Sequence, residues 1–141
     1  NKDVSFLLLE GHEKHVLENQ YYVVLKRFSS KEEKRRLVAA VHDPNSITAK
    51  KIALENHLNY IGHTNYVLDK EEAYGLATLL NSTILDRYFR SISGNTQVNA
   101  TEIRLLKFPS SEVIRTIGKT YLSFGECPDQ TQIDNLIGKF L

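Results

Sequence analysis

The chain has 141 residues, 41% of them hydrophobic and 25% charged, with a formal net charge of +1 and a single cysteine. That length suits one domain with a core able to fold alone, and no apolar run approaches the ~20 residues of a membrane span. One cysteine excludes an internal disulfide framework and a cysteine zinc site, which fits a reducing cytoplasm, and the overall charge announces no nucleic-acid partner.

The chain begins at Asn1, contains no methionine and shows no signal-peptide pattern, so a piece of a longer protein is expected. Residues 1–20 read as a lead-in. Phe6, Leu7, Leu8 and Leu9 are apolar enough for a short strand or a helix end, closed by Gly11. His12-Glu13-Lys14-His15 fails as a metal motif, because its histidines are three apart rather than four and a third ligand is missing.

Residues 21–27 crowd aromatic and β-branched side chains and read as a strand. A strongly basic stretch follows. Residues 26–36 hold Lys26, Arg27, Lys31, Lys34, Arg35 and Arg36 against Glu32 and Glu33. Such a run suits a solvated loop or a phosphate-binding loop, and Ser29 and Ser30 would add hydroxyl donors. Residues 36–42 form a second apolar strand, which makes a hairpin. A helix over 30–40, capped by Ser30, is the alternative.

Asp43-Pro44-Asn45-Ser46 is a turn by composition. Residues 52–61 alternate apolar and polar, which predicts a half-buried strand bent near Asn56. Its polar face would turn His57 and Asn59 outward beside Asn56, as a base-reading surface or a plain solvent face. Residues 66–68 suggest one more short strand. Asp69 and Glu72 have capping-box spacing, and apolar positions recur at three and four from Ala73 to Phe89, predicting a long helix over 70–90. Arg87 and Arg90 near its end read as helix-surface residues.

The chain then crosses Gly94 and presents Asn95, Thr96, Gln97 and Asn99 before turning apolar again and stopping at Pro109. Short amides and hydroxyls this dense suit either a polar turn or a loop that faces a ligand. A helix capped by Ser110 or Ser111 is predicted over 110–122. Asp129 with Gln132 starts a last amphipathic segment near 130–140, which would dock on a partner or end where the chain ends. The sum is an α+β fold in which a small mixed or antiparallel sheet packs with three helices.

No Ser/His/Asp set has a nucleophile-elbow context, and no glycine-rich loop precedes a helix to cradle a phosphate or cofactor. A binding module is therefore expected rather than an enzyme in its own right, whether it takes nucleic acid or, as the alternative, protein.

Four blocks carry a family resemblance. They are residues 22–40, the run Leu54-Glu55-Asn56-His57-Leu58-Asn59-Tyr60-Ile61, residues 74–90 from Tyr74-Gly75-Leu76-Ala77 to Asp86-Arg87-Tyr88-Phe89-Arg90, and residues 93–104. Together they resemble the C-terminal target-recognition domain of adenine-specific DNA methyltransferases of bacterial restriction-modification systems. The likeness is to the TaqI-type specificity domain and, more distantly, to type I specificity subunits. It covers about residues 20–117, leaving 118–141 as a helical extension.

The resemblance implies that S-adenosylmethionine and the catalytic Asn-Pro-Pro-Tyr motif belong to a separate upstream domain, neither being present here. This chain would grip double-stranded DNA while that domain extrudes the adenine. Lys26, Arg27, Ser29, Ser30, Lys31, Lys34, Arg35 and Arg36 would then hold phosphates. Asn56, His57, Asn59, Asn95, Thr96, Gln97 and Asn99 would face bases or sugars. Val98 and Ile103 would anchor the amide loop in the core.

Overall fold

The computed structural model describes residues 6–10, 16–53, 57–94 and 97–141, with residues 6–10 and Ala100 described by their backbone alone. The fold is α+β. Strands β1 (Phe6–Glu10), β3 (Tyr22–Lys26), β4 (Ala39–His42) and β6 (Leu58–His63) form an antiparallel sheet in the order β1-β6-β3-β4, while β2 (Val16–Glu18) and β5 (Lys51–Ala53) pair separately. Among the described residues the α-helices are α1 (Lys70–Leu80), α2 (Thr83–Ile92), α3 (Ala100–Arg104), α4 (Ser111–Ser123) and α5 (Gln130–Gly138).

The hairpin reading of residues 21–42 holds, since β3 and β4 pair antiparallel from Tyr22–His42 to Leu25–Ala39. The basic stretch is the connection between them. Val23 and Leu25 are buried on one face of β3, and antiparallel pairing with β6 sets Ile61 against Val23 and Asn59 against Leu25. Directly opposed residues share a face. Asn59 is therefore a core-face residue, fully buried, and the expectation that it turns outward with His57 is corrected by the register.

Residues 52–61 are not one strand. Lys51–Ala53 pairs with β2 in the small sheet, and the chain enters the main sheet only at Leu58. The bend expected at Asn56 lies outside the described residues. Residues 66–68 make no strand either. Leu68 forms a single bridge to Tyr21, while the Tyr66 ring stacks on His63 and its hydroxyl donates to Glu72 Oε2 at 2.6 Å.

The predicted 70–90 helix is two helices. Asp69 caps the first, accepting from the Glu72 amide at 2.8 Å. At the junction, Asn81 leaves helical periodicity to clamp the edge of β4. Its Oδ1 accepts from the Ala39 amide and its Nδ2 donates to the Ala39 carbonyl, both at 2.8 Å. Ser82 then takes extended dihedrals and caps α2 by accepting from the Leu85 amide. A polar pair between two apolar stretches thus stops one helix and starts another, which apolar spacing alone does not reveal.

α1 packs chiefly on α4 and, through its other side, on β3 and β4. The α1–α4 crossing is set by glycines. A Cβ on Gly75 would collide with the Ile114 carbonyl oxygen, and one on Gly118 with the Glu71 carbonyl oxygen. Backbone meets backbone there. α4 is capped by Ser110 and runs through residues 117 and 118, and α5 opens with the Asp129–Gln132 capping box.

The C-terminal segment docks on its own chain. Leu136 and Ile137 are buried in the common core cluster with Leu76, Phe89 and Ile114. Asp134 accepts from the Thr83 amide (2.8 Å) and hydroxyl (2.6 Å), and so holds the start of α2 from α5. Burial raises the Asp134 pKa, but these hydrogen bonds outweigh it and hold the carboxyl below its usual range. The apolar face that motivated a protein-docking reading is therefore already covered.

Candidate nucleic-acid interface

Three segments that are distant in sequence meet at the end of β3. The Arg27 amide donates to the His57 carbonyl at 3.0 Å, and the Val98 amide donates to the Arg27 carbonyl at 2.7 Å. Phe28 forms a bridge with Gln97. From inside, Asn59 Nδ2 donates to the Val98 carbonyl at 2.7 Å, so this amide ties the third segment to the sheet and is not turned to solvent. Val98 is fully buried and Ile103 is 3% exposed, as their anchoring role requires.

The result is one surface carrying Arg27, Phe28, His57 and Gln97. Phe28 is 40% exposed, with the Arg27 guanidinium carbon 5.5 Å from its ring centre and the His57 ring edge-on at 5.7 Å. Sequence reasoning singled out Arg27, His57 and Gln97 but passed over Phe28. A lone aromatic beside a basic run is the signal that would have found it. Asn99 lies just beyond as the cap residue of α3, its Nδ2 3.4 Å from Glu102 Oε1. Asn56, Asn95 and Thr96 lie outside the described residues.

The basic loop is shaped by α2. Asp86 is 5% exposed, and its Oδ1 accepts from the amides of both Arg36 and Leu37 at 2.8 Å. Its Oδ2 accepts from Arg90 Nε at 2.9 Å, and Arg90 in turn donates to the carbonyls of Lys31 (2.9 Å) and Glu33 (2.6 Å). Burial pushes the Asp86 carboxyl up, but the donors from Leu37, Arg90 and Arg36 prevail and hold it below its ordinary value. Asp86 and Arg90 are four apart on one helix, a spacing visible in the sequence, yet only the fold shows that both reach into the loop.

Within that loop the predicted phosphate ligands divide by position. Arg36 is 1% exposed, its guanidinium stacked 5.4 Å from the centre of the Phe89 ring and its Nε donating to Ser29 Oγ at 3.0 Å. Ser29 is itself buried and donates back to the Arg36 carbonyl. Arg35 donates to the carbonyls of Leu37 and Ser82. These three residues hold the loop from within, because a 12-residue connection needs partners for its backbone groups.

Lys26 pairs with Glu33 at 3.0 Å across the loop base, and this bond is the first reason that the Glu33 carboxyl titrates below its ordinary range. Ser30 is half-buried, and its carbonyl accepts the Glu33 amide. Lys31 and Lys34 are exposed, as is Arg87 on α2. Exposed cations on a loop held to one shape can meet an anionic polymer without first being ordered.

The helices are capped by Asp69, Ser82, Asn99, Ser110 and Asp129, none of them ending a glycine-rich loop, and no described group of three His, Cys, Asp or Glu side chains could hold a metal. His12 and His15 lie outside the described residues. Among the described residues no helix is long and apolar enough to cross a membrane.

Two known proteins are similar to almost the whole chain. The type II methyltransferase M.BsuBI of Bacillus subtilis is 46% identical over 132 residues, which is 94% of this chain and 26% of that protein. The type II methyltransferase M.PstI of Providencia stuartii is 37% identical over 140 residues, 99% of this chain and 27% of that protein. No protein-family model matches the chain. No solved structure matches it. The chain spans about a quarter of the length of these curated relatives and, over nearly all of its own length, is homologous to that part of type II methyltransferases.

Proposed function

We propose that this chain is the DNA-binding target-recognition module of a restriction-modification adenine-N6 methyltransferase of the TaqI-like kind, forming the C-terminal part of that enzyme. S-adenosylmethionine and the methyl-transfer chemistry would belong to the upstream part of the parent protein. The observation that carries this reading is the meeting of Arg27, Phe28, His57 and Gln97 on one surface, continuous with a braced loop that exposes Lys31 and Lys34. Homology to type II methyltransferases supports the enzyme class.

On this reading the exposed lysines neutralise phosphates and set register, while Gln97 and His57 face the bases. Phe28 offers an apolar ring at the groove. The test is to select duplexes on the chain from a random pool, then compare their affinity with that of unselected DNA. Gln97→Ala should lower the preference for selected sites by about 1–3 kcal/mol, because an amide makes bidentate base contacts. Lys34→Ala should weaken both kinds of DNA alike. Loss of preference on Lys34→Ala with none on Gln97→Ala would contradict the assignment.

A further inference from the structure

A cavity of about 450 Å³ opens between the basic loop and the end of α2, lined by Lys31, Arg36 and Arg90 and by residues 91–94, among them Ile92 and Ser93. Ser93 is 7% exposed, and its hydroxyl has no hydrogen-bond partner. A buried hydroxyl left without a partner costs about 1–3 kcal/mol, so a ligand acceptor at this place would relieve a real deficit. Three cations line the same space. The nearby Asp86 carboxylate is turned to the amides of Arg36 and Leu37 and to Arg90 Nε. Arg90 is paired with Asp86 at 2.9 Å, so the local excess is about two positive charges, which still outweighs the roughly half negative charge at the C-terminal end of α2.

We propose that this cavity binds one phosphate group of the DNA backbone. Ser93 Oγ donates to a non-bridging oxygen, and Lys31, Arg36 and Arg90 supply the opposing charge. The assignment rests on the DNA-binding reading for its occupant, but the anion chemistry stands apart from it, since a free phosphate would be recognised in the same way. The site also explains why Arg90 braces the loop through the carbonyls of Lys31 and Glu33. The bracing fixes the guanidinium at the cavity wall, so that one residue both shapes the loop and faces the anion.

Two arms of one experiment separate the sources, each run on the whole 141-residue chain. In the first, inorganic phosphate is titrated while the backbone amide signals of Ser93 and Gly94 are followed by NMR. Saturable shifts are expected, and Ser93→Ala should abolish them. In the second, duplex DNA affinity is measured against salt. Ser93→Ala should weaken binding about tenfold with little change in salt dependence, because a neutral donor to a charged oxygen is lost. Lys31→Ala should lower the log–log salt slope by about 0.9.

Shifts with phosphate but unaltered DNA binding in both variants would overturn the backbone occupant and leave a site for free phosphate. Shifts with phosphate in a chain that binds no DNA would reject the DNA reading while keeping the anion site. Neither phosphate shifts nor an effect of Ser93→Ala on DNA binding would overturn the proposal altogether. Because Ser93→Ala removes one oxygen that makes no hydrogen bond in the fold, misfolding does not confound the result.

Discussion

Replacing Asp86 by alanine is expected to destabilise the chain by about 3 kcal/mol, with the basic loop losing order first. The substitution leaves the amides of Arg36 and Leu37 without an acceptor and removes the partner of Arg90. Each orphaned buried donor costs about 1–3 kcal/mol, and breaking a buried ion pair from one side costs about 3–5 kcal/mol. Arg90 is 31% exposed at its side chain, so water takes up most of the ion-pair share, and the two orphaned amides at the low end of their range leave a total of about 3 kcal/mol.

Asp86→Asn gives a subtler test. An amide keeps one oxygen for the loop but turns a donor toward Arg90, so about half the loss is expected. The pH dependence has a definite sign. The Asp86 carboxyl titrates lower in the folded chain than in the unfolded one. Its stabilisation is therefore complete above the unfolded value of about 3.9 and vanishes as pH falls through the lower folded value. Denaturation followed from pH 7 downward should show the gap between wild type and Asp86→Asn closing below about pH 4. A gap independent of pH would show that the charge is not what holds the loop.

The same variant discriminates within the functional proposal. Removing a negative charge from a basic surface would, by Coulomb attraction alone, tighten DNA binding. If the loop must be braced to meet phosphates, binding weakens instead. Titration of duplex DNA by the folded Asp86→Asn chain reads the sign directly.

Gly75→Ala is the second large effect, at about 3 kcal/mol or more of destabilisation. Helix propensity would favour alanine here by about 1 kcal/mol. Packing decides otherwise, because the added methyl meets the Ile114 carbonyl oxygen and lies about 3.0 Å from the Gly118 amide, all of it backbone. No side-chain rotation relieves such a clash, so α1 and α4 must separate. Gly118→Ala should cost a similar amount, and the double variant less than the sum, since one separation of the helices accommodates both methyls. Thermal or denaturant unfolding of the three variants measures this, and a stabilised Gly75→Ala would refute the close crossing.

Much of the architecture was legible because local patterns carry it. Residues 110–122 and 130–140 announce their caps at Ser110 and Asp129, and the strands around Val23 and Val41 stand out by their apolar, β-branched content. What failed was context. Asn81 and Ser82 look like tolerable helix residues until β4 supplies the Ala39 peptide that Asn81 binds. Asn59 looks outward-facing by alternation, but the register with Leu25 turns it to the core. Its neighbours Tyr60 and Ile61 are buried on opposite faces, so a central strand shows no clean alternation.

The candidate surface was legible in composition rather than in role. Arginine and lysine look alike in a basic run, yet Arg35 and Arg36 have planar donor forks that suit carbonyls, hydroxyls and an aromatic face, and the fold uses them so. Lys31 and Lys34 remain exposed. The grouping of Phe28 with His57 and Gln97 depends on backbone bonds between segments about 30 and 70 positions apart, which no local pattern encodes.

The central claim is that this chain grips DNA through phosphates, and one salt titration tests it most directly. With Lys34 engaging one phosphate and the Ser93 cavity, Lys31 included, engaging another, the logarithm of duplex affinity should fall against the logarithm of salt with a slope of about −1.8. Between 50 and 200 mM salt that is a loss of about 12-fold. A duplex affinity that stays flat over this range, or is absent at its low end, would contradict the account.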